Sequence, residues 1–236
     1  MSDPQPFVTV DVQGNVAVLK MDDGKANALT EKMIAELLSA LDQAEAKGHA
    51  VVLAGRPGRY CAGFDLRTMM SGFDAARALF SKGGDLLMRL YTFPRPVVVA
   101  CGGHALAGGA LMVLVGDVRF CAAGEFKIGL NEVGIGLPLP ILALEFARDR
   151  LLPTELTKAT LCARVYDPDA ALAAGYVDAV VPEGELLAAA IKEAARLGDF
   201  VPGPYAATKK RLREVTVARI TATGVADLAE LMPSST

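Results

Sequence analysis

Histidine is scarce in this chain. Only His49 and His104 occur in 236 residues, so a His-rich metal site is not expected. The four cysteines, Cys61, Cys101, Cys121 and Cys162, are scattered and form no CxxC pair. They read as reduced thiols packed as small hydrophobes, which points to a cytoplasmic protein. No long apolar run is present. The longest, residues 105–115, contains Gly108 and Gly109 and is too short to span a bilayer, so no membrane contact is expected. The first residues, Met1-Ser2-Asp3-Pro4-Gln5-Pro6, lack the basic region and apolar core of a secretory signal. Neither sign of charge dominates. A net charge of −3 and a pI near 5.5 argue against a nucleic-acid partner. Tryptophan is absent too, which excludes nothing.

Several catalytic signatures are missing as well. Gly102 to Gly109 is not followed by Lys-Ser/Thr, so it is no phosphate-gripping loop. Gly134-Ile135-Gly136 lacks the third glycine and the preceding strand of a dinucleotide site. There is no Gly-x-Ser-x-Gly elbow and no His–Cys pairing.

Apolar side chains are plentiful, at 52% of the chain with a mean hydropathy of +0.34. With no membrane segment to absorb it, part of that surface is expected between subunits. Residues 7–12 and 16–21 alternate like strands around a tight turn at Gly14-Asn15. Thr30 is placed to cap a helix reaching about Lys47, with Met33, Ile34, Leu37, Leu38 and Leu41 on one face. Gly48 ends it, and a short buried strand over residues 50–53 leads into a loop over residues 55–59. Residues 74–91 have a helical pattern that Gly83-Gly84 should weaken or kink. A strand over residues 97–101 follows, then glycine turns at Gly102-Gly103 and Gly108-Gly109. An apolar helix over about 109–115 and a strand over 117–121 come next. Pro138 and Pro140 open a helix carrying Leu144, Glu145 and Phe146. Beyond Pro153 the pattern is mostly helical, broken by a strand over residues 177–181. No linker or repeat marks a second independent domain.

Glu132 is the candidate base. It lies in Ile128-Gly129-Leu130-Asn131-Glu132-Val133-Gly134-Ile135-Gly136, with no cation within three residues on either side. A carboxylate there loses hydration, so its pKa should rise toward neutrality. Two glycine turns precede it, Cys61-Ala62-Gly63-Phe64-Asp65 and Ala107-Gly108-Gly109. Such turns can present bare N–H groups to a developing anion. One base and two donors are the minimum for making and quenching an enolate. The alternatives are a carboxylate capping a surface turn, and glycine turns that only connect.

The chain resembles the crotonase (enoyl-CoA hydratase/isomerase) superfamily from about Val8 to Arg213. The resemblance is carried by Lys25-Ala26-Asn27-Ala28-Leu29, Tyr60-Cys61-Ala62-Gly63-Phe64-Asp65-Leu66 and residues 96–101. It continues through Gly103-His104-Ala105-Leu106-Ala107-Gly108-Gly109, Asp117-Val118-Arg119 and Ala173-Ala174-Gly175-Tyr176-Val177-Asp178. It implies an α/β spiral of strand-strand-helix units over residues 1–200 with a C-terminal helical segment over 201–236. That segment is shorter than usual for the family and lacks its Phe-x-x-Lys-Arg ending. It also implies a homotrimer or dimer of trimers. An acyl-CoA thioester would be the partner, with no metal and no cofactor beyond the CoA of the substrate.

By position, the family's two oxyanion donors map to the N–H groups of Phe64 and Gly108. Of the hydratases' two glutamates one aligns with Glu132, and the other falls on Leu111. The segment around Glu132 is most similar to mitochondrial-type 3,2-trans-enoyl-CoA isomerases, in which one glutamate moves a proton from the alpha to the gamma carbon. Isomerisation is therefore the expected activity. Hydration by one glutamate, or acyl-CoA binding without catalysis, are the alternatives. The resemblance places Lys25, Ala26, Ala28, Ala62, Asp65, Leu66, Leu111 and Leu137 on the CoA and acyl portions. Met69, Met70, Phe73 and Leu139 are further candidates for the acyl pocket. Asp65 also reads as a helix cap, and His104 as a packed side chain. Lys209, Lys210, Arg211 and Arg213 read as a solvated basic face, or as contacts to the phosphates of CoA.

Overall fold

The computed structural model describes residues 5–231. The first four residues of the N-terminal segment read above, and the last five of the chain, lie outside them. The chain opens with a hairpin, β1 (Val8–Gln13) and β2 (Val16–Met21), joined across Gly14-Asn15 with Gln13 opposite Val16. Gly14 has φ +60, the hand this tight connection requires. Helix α1 (Glu31–Ala46) starts where expected, with the Thr30 hydroxyl accepting from Met33 N at 3.1 Å.

Each following turn of the chain places one strand in each of two sheets. The pairs are β3 (Ala50–Ala54) with β4 (Gly58–Cys61), β5 (Val97–Cys101) with β6 (Gly103–Leu106), and β7 (Val118–Ala122) with β8 (Ile128–Gly129). Helices α2 (Leu66–Met70) and α3 (Phe73–Tyr91) follow the first pair, and α4 (Gly108–Leu114) follows the second. The third is followed by a 3-10 turn at Val133–Ile135. Helices α5 (Ile141–Arg150), α6 (Pro153–Ala159) and α7 (Pro168–Ala174) lead to β9 (Ala179–Val181), and α8 (Leu186–Gly198) and α9 (Pro202–Leu231) close the chain. The large sheet runs β1-β2-β3-β5-β7-β9 and the small one β4-β6-β8, parallel throughout except for the β1–β2 hairpin. This is the α/β spiral of strand-strand-helix units that the resemblance implies.

Both faces of the inner strands β3 and β5 are covered, so these are apolar at every position instead of alternating, whereas the edge strand β1 is exposed beyond Val8. The two-residue period instead decides which core each side chain joins. Leu19, Val51, Leu53, Val97 and Val99 point to the α1 side. Val16, Val18, Val52, Val98 and Ala100 point to α8, whose Ala190 and Ala194 let the helix lie close.

Three expectations change. The small sheet was not anticipated: Gly58–Cys61 begins inside the stretch read as a loop, and Gly103–Leu106 begins at a presumed glycine turn. Its strands are too short to show a pattern of their own. Helix α3 runs unbroken through Gly83-Gly84, because it packs against α1 and α2 along its length. The last strand is shorter than expected, only Ala179–Val181.

The basic face of α9 is the larger correction. Lys209 and Arg213 are buried, and both meet the Asp117 carboxylate, at 2.7 and 2.9 Å. Asp117 also accepts from Val97 N and from the Tyr205 hydroxyl. Burial pushes the Lys209 ammonium down to about 8 while Asp117 pulls the other way. These side chains tie α9 to the start of β5 and to the residue preceding β7, and only Lys210 and Arg211 of the group are exposed. Breaking such a buried set by removing one partner typically costs about 3–5 kcal/mol. Two of the motif segments also prove to be one joint. Arg119 makes paired bonds to Asp178 at 2.6 and 3.1 Å and donates to Gly175 O. No helix among the described residues is long and apolar enough to cross a membrane.

Candidate active site

The two glycine turns lie against one another. A Cβ on Gly63, which has φ +91, would sit 3.0 Å from Leu106 O and 3.1 Å from Gly108 N. A Cβ on Gly108 would sit 3.1 Å from the Phe64 ring, so the missing side chain makes room for Phe64 as well as for a ligand.

An isolated bridge outside the two sheets orients the first N–H. Leu29 N donates to Gly63 O at 2.8 Å and Asp65 N donates to Leu29 O at 3.3 Å. This parallel bridge turns the Phe64 N–H away from Leu29, and no acceptor among the described residues takes it. The second donor, Gly108 N, opens α4, where an N–H has no partner within the helix. The residue before it, Ala107, has φ 51 and ψ −124, a conformation that costs a residue with a side chain about 1–3 kcal/mol. Ala107 N is held by Gly129 O at 3.0 Å, so the following peptide is fixed with its N–H leaving the strand. Sequence reading went to the glycines and passed over Ala107.

Glu132 follows β8. Ile135 N and Leu137 N both donate to Glu132 O, at 3.0 and 2.9 Å, and Gly136 closes the turn with φ +83. The side chain is buried, and its Oε2 has no hydrogen-bond partner among the described residues. Burial pushes the carboxyl up to about 7, opposed by its own backbone N–H.

Ala62, Phe64, Leu66, Met69, Gly108, Leu111, Glu132 and Leu137 line one cavity of about 250 Å³. The cavity thus gathers three expected roles, two donors and a base, around one space. Leu111 is 2% exposed and presents only carbon there. A second cavity, of about 430 Å³, lies between α3, α5 and α9 and shares Phe64, Phe80, Leu111, Pro140 and Leu231 with the first. Met70 and Phe73 are exposed and line neither, and neither does Leu139.

Lys25, Ala26 and Ala28 also lie outside both cavities. Their segment is tied to the turn that carries Phe64, since Ala62 N donates to Ala26 O at 3.1 Å. Asn27 holds it. Fully buried with φ 54, its side chain accepts from Asp23 N and donates to the carbonyls of Met21, Arg59 and Tyr60. Asp65 caps α2 through Thr68 N and Thr68 Oγ1, and the Thr68 hydroxyl holds its carboxyl below the usual range. His104 Nδ1 accepts from Lys127 N, so it serves packing.

The chain is similar to known proteins in sequence and in fold. The sequence model of the family described as enoyl-CoA hydratase/isomerase matches residues 11–231. The chain is 29% identical to human mitochondrial enoyl-CoA delta isomerase 1, over 94% of this chain and 75% of that protein. A solved structure of an enoyl-CoA isomerase from Mycobacterium tuberculosis superposes with a TM-score of 0.91 at 34% identity, covering 95% of this chain and 98% of that one. An enoyl-CoA hydratase from Mycobacterium ulcerans superposes with a TM-score of 0.90, also at 34% identity and with the same coverage.

Proposed function

The chain belongs to the enoyl-CoA hydratase/isomerase family, and on that premise we propose that it moves the double bond of a 3-enoyl-CoA to the 2-position. One observation carries the reading: among the described residues, Glu132 is the only carboxylate lining the cavity that the Phe64 and Gly108 turns form, and Leu111 faces the same space.

The thioester carbonyl is held by the Phe64 and Gly108 N–H groups. Glu132 takes a proton from the alpha carbon, and that electron pair moves toward the carbonyl oxygen as an enolate conjugated with the 3,4 double bond. Both N–H groups bind the enolate more strongly than the carbonyl, which is the condition for acceleration. The protonated Glu132 returns its proton to the gamma carbon, and the double bond is left between the alpha and beta carbons. A carboxyl near pKa 7 suits both halves, being base enough to accept and acid enough to return. The second cavity continues the apolar wall and receives the rest of the acyl chain. No metal or further cofactor takes part in these steps.

Hydration is the second reading, supported by the similarity to a mycobacterial hydratase. It requires Glu132 alone to activate water and to protonate the alpha carbon. A panel of 2-enoyl and 3-enoyl thioesters separates the two. Isomerisation converts the 3-enoyl thioester to a conjugated product of unchanged mass. Hydration of the 2-enoyl thioester removes the conjugated absorbance and adds the mass of one water. Turnover of the 2-enoyl thioester alone would reject the isomerase.

A further inference from the structure

Helix α9 is held unevenly along its length. Its first half is anchored in the core. Lys209 and Arg213 meet the Asp117 carboxylate, the Arg213 guanidinium lies over the Tyr91 ring at 4.1 Å, and Ile220 is buried. Beyond Ile220 no residue of the helix is buried. Among the described residues, a single hydrogen bond joins residues 221–231 to the rest of the protein, from Ile141 N to Asp227 Oδ2 at 2.7 Å.

That bond has a reason on each side. Ile141 opens α5, where the first N–H groups have no partner within the helix. The residue in the capping position is Pro140, whose side chain has no oxygen to accept. Asp227 supplies the acceptor from another helix, and its carboxylate suits the positive end of the α5 dipole. On α9, Gly224 sits between the anchored half and this bond. A Cβ there would meet nothing within 4 Å, so packing does not require a glycine, and the helix is intrinsically weakest at that point.

The stretch held in this way is one wall of the larger cavity. Val225, Leu228 and Leu231 line it, with Leu142 of α5 and Met88 of α3 on its other sides. Val225 is 79% exposed, and Leu228 and Leu231 are only half-buried. Burial therefore does little to keep the wall in place, and a hydrocarbon chain lying along it would add apolar contact.

We infer that Asp227 is a specificity-determining residue: by holding residues 225–231 against α5 it completes the wall along which the distal acyl carbons lie, and so sets the preference for long chains. The inference rests on the proposed entry of the acyl chain into the larger cavity. Asp227 is a positioning residue and not a catalytic one, since it lines the larger cavity but not the one that holds Glu132.

Asp227→Ala tests it, beside Asp227→Asn, which keeps an acceptor for the Ile141 N–H. Calorimetry gives the affinity for saturated four- and twelve-carbon CoA thioesters, which carry no double bond to move. Backbone hydrogen exchange is followed along α5 and α9. In Asp227→Ala, exchange over residues 225–231 should rise about tenfold while the anchored half of α9 stays at the parent rate. The ratio of twelve- to four-carbon affinity should fall about fivefold or more. Asp227→Asn should stay close to the parent in both. Unchanged exchange in Asp227→Ala overturns the inference, and so does raised exchange with an unchanged ratio. An equal loss for both thioesters means that Asp227 only caps α5, which rejects its role in chain length. An Asn variant as impaired as the Ala variant rejects the hydrogen bond as the cause. A ratio that falls as expected, in an enzyme whose parent turns over no 3-enoyl thioester, upholds Asp227 and rejects the isomerase.

Discussion

Gly83 of α3 lies directly beneath the Phe64 ring: a Cβ at position 83 would overlap Phe64 Cε1 and Cζ. The ring also stacks on Phe80 of the same helix at 4.5 Å. A glycine in mid-helix is intrinsically unfavourable by about 1 kcal/mol relative to alanine. Here that cost lets the side chain of Phe64, the proposed oxyanion donor, seat against the helix, which constrains where its backbone N–H points. Gly83→Ala should gain the helical preference but lose more to overpacking, about 1–3 kcal/mol. Turnover is expected to fall at least tenfold as Phe64 shifts, while the melting temperature drops by only a few degrees. Unchanged kinetics with unchanged stability would mean that the ring repacks without moving its peptide.

Glu132 links stability to activity with opposite signs. Its folded pKa, about 7, is raised above the ordinary 4.5. The folded state therefore holds its proton more tightly than the unfolded one. Stability from this group is fully present below about pH 4.5 and declines as pH rises to about 7, where activity appears. The difference corresponds to at most about 3 kcal/mol. Glu132→Gln should abolish deuterium exchange at the alpha carbon, retain thioester binding, and melt above the parent at pH 8.5 but not at pH 4.5. Exchange at the parent rate would remove Glu132 as the base.

How much of this was open to sequence reading depended on whether the signal was local. Thr30 and the apolar face of α1 were legible, because a cap and a 3.6-residue period are written within one segment. So was the raised pKa of Glu132, since an apolar glycine-rich loop with no cation nearby desolvates whatever it carries. The small sheet was not legible. Its strands run two to four residues, and their pairing depends on segments dozens of positions apart. Lys209 and Arg213 misled for the same reason, since charges spaced along a helix look solvated unless Asp117 is known to lie beneath them. The parts that Gly83 and Ala107 play carry no signal in the chain itself, because each is defined by what touches the residue after folding.

Leu111 tests why one glutamate is enough. It occupies the position where the resemblance places the hydratases' second glutamate, and it is buried against both cavities. Leu111→Glu should raise hydration of a 2-enoyl thioester from background, at a cost of several kcal/mol in stability for an unpaired buried carboxylate. A folded variant with no gain would assign the reaction to pocket shape and not to the missing acid.

Assembly follows from exposed carbon. Leu161, Leu212, Val215 and Val225 are each at least 70% exposed, and contacts between subunits would account for part of that surface. The chain is expected to run as a homotrimer or a dimer of trimers. Light scattering at micromolar concentration checks this, and a monomer mass would refute it.

Gly84 offers control over chain length without touching the chemistry. It lines the larger cavity but not the one holding Glu132. A Cβ there would meet only Leu142 Cδ1, at 3.8 Å, so a larger side chain enters open space and does not strain the fold. Leucine is also the better helix former by nearly 1 kcal/mol. Gly84→Leu should therefore fold at least as well as the parent and fill part of the space given to the distal acyl carbons. Each methylene shut out of an apolar site is worth about 1–3 kcal/mol. A four-carbon 3-enoyl thioester, which ends before this cavity, should keep its kcat/KM within about twofold. A twelve-carbon one should lose at least tenfold, chiefly through KM, because the lost contacts are the same in ground and transition states. Equal losses for both would place the acyl chain elsewhere. No loss for either would leave the larger cavity outside the path of the substrate.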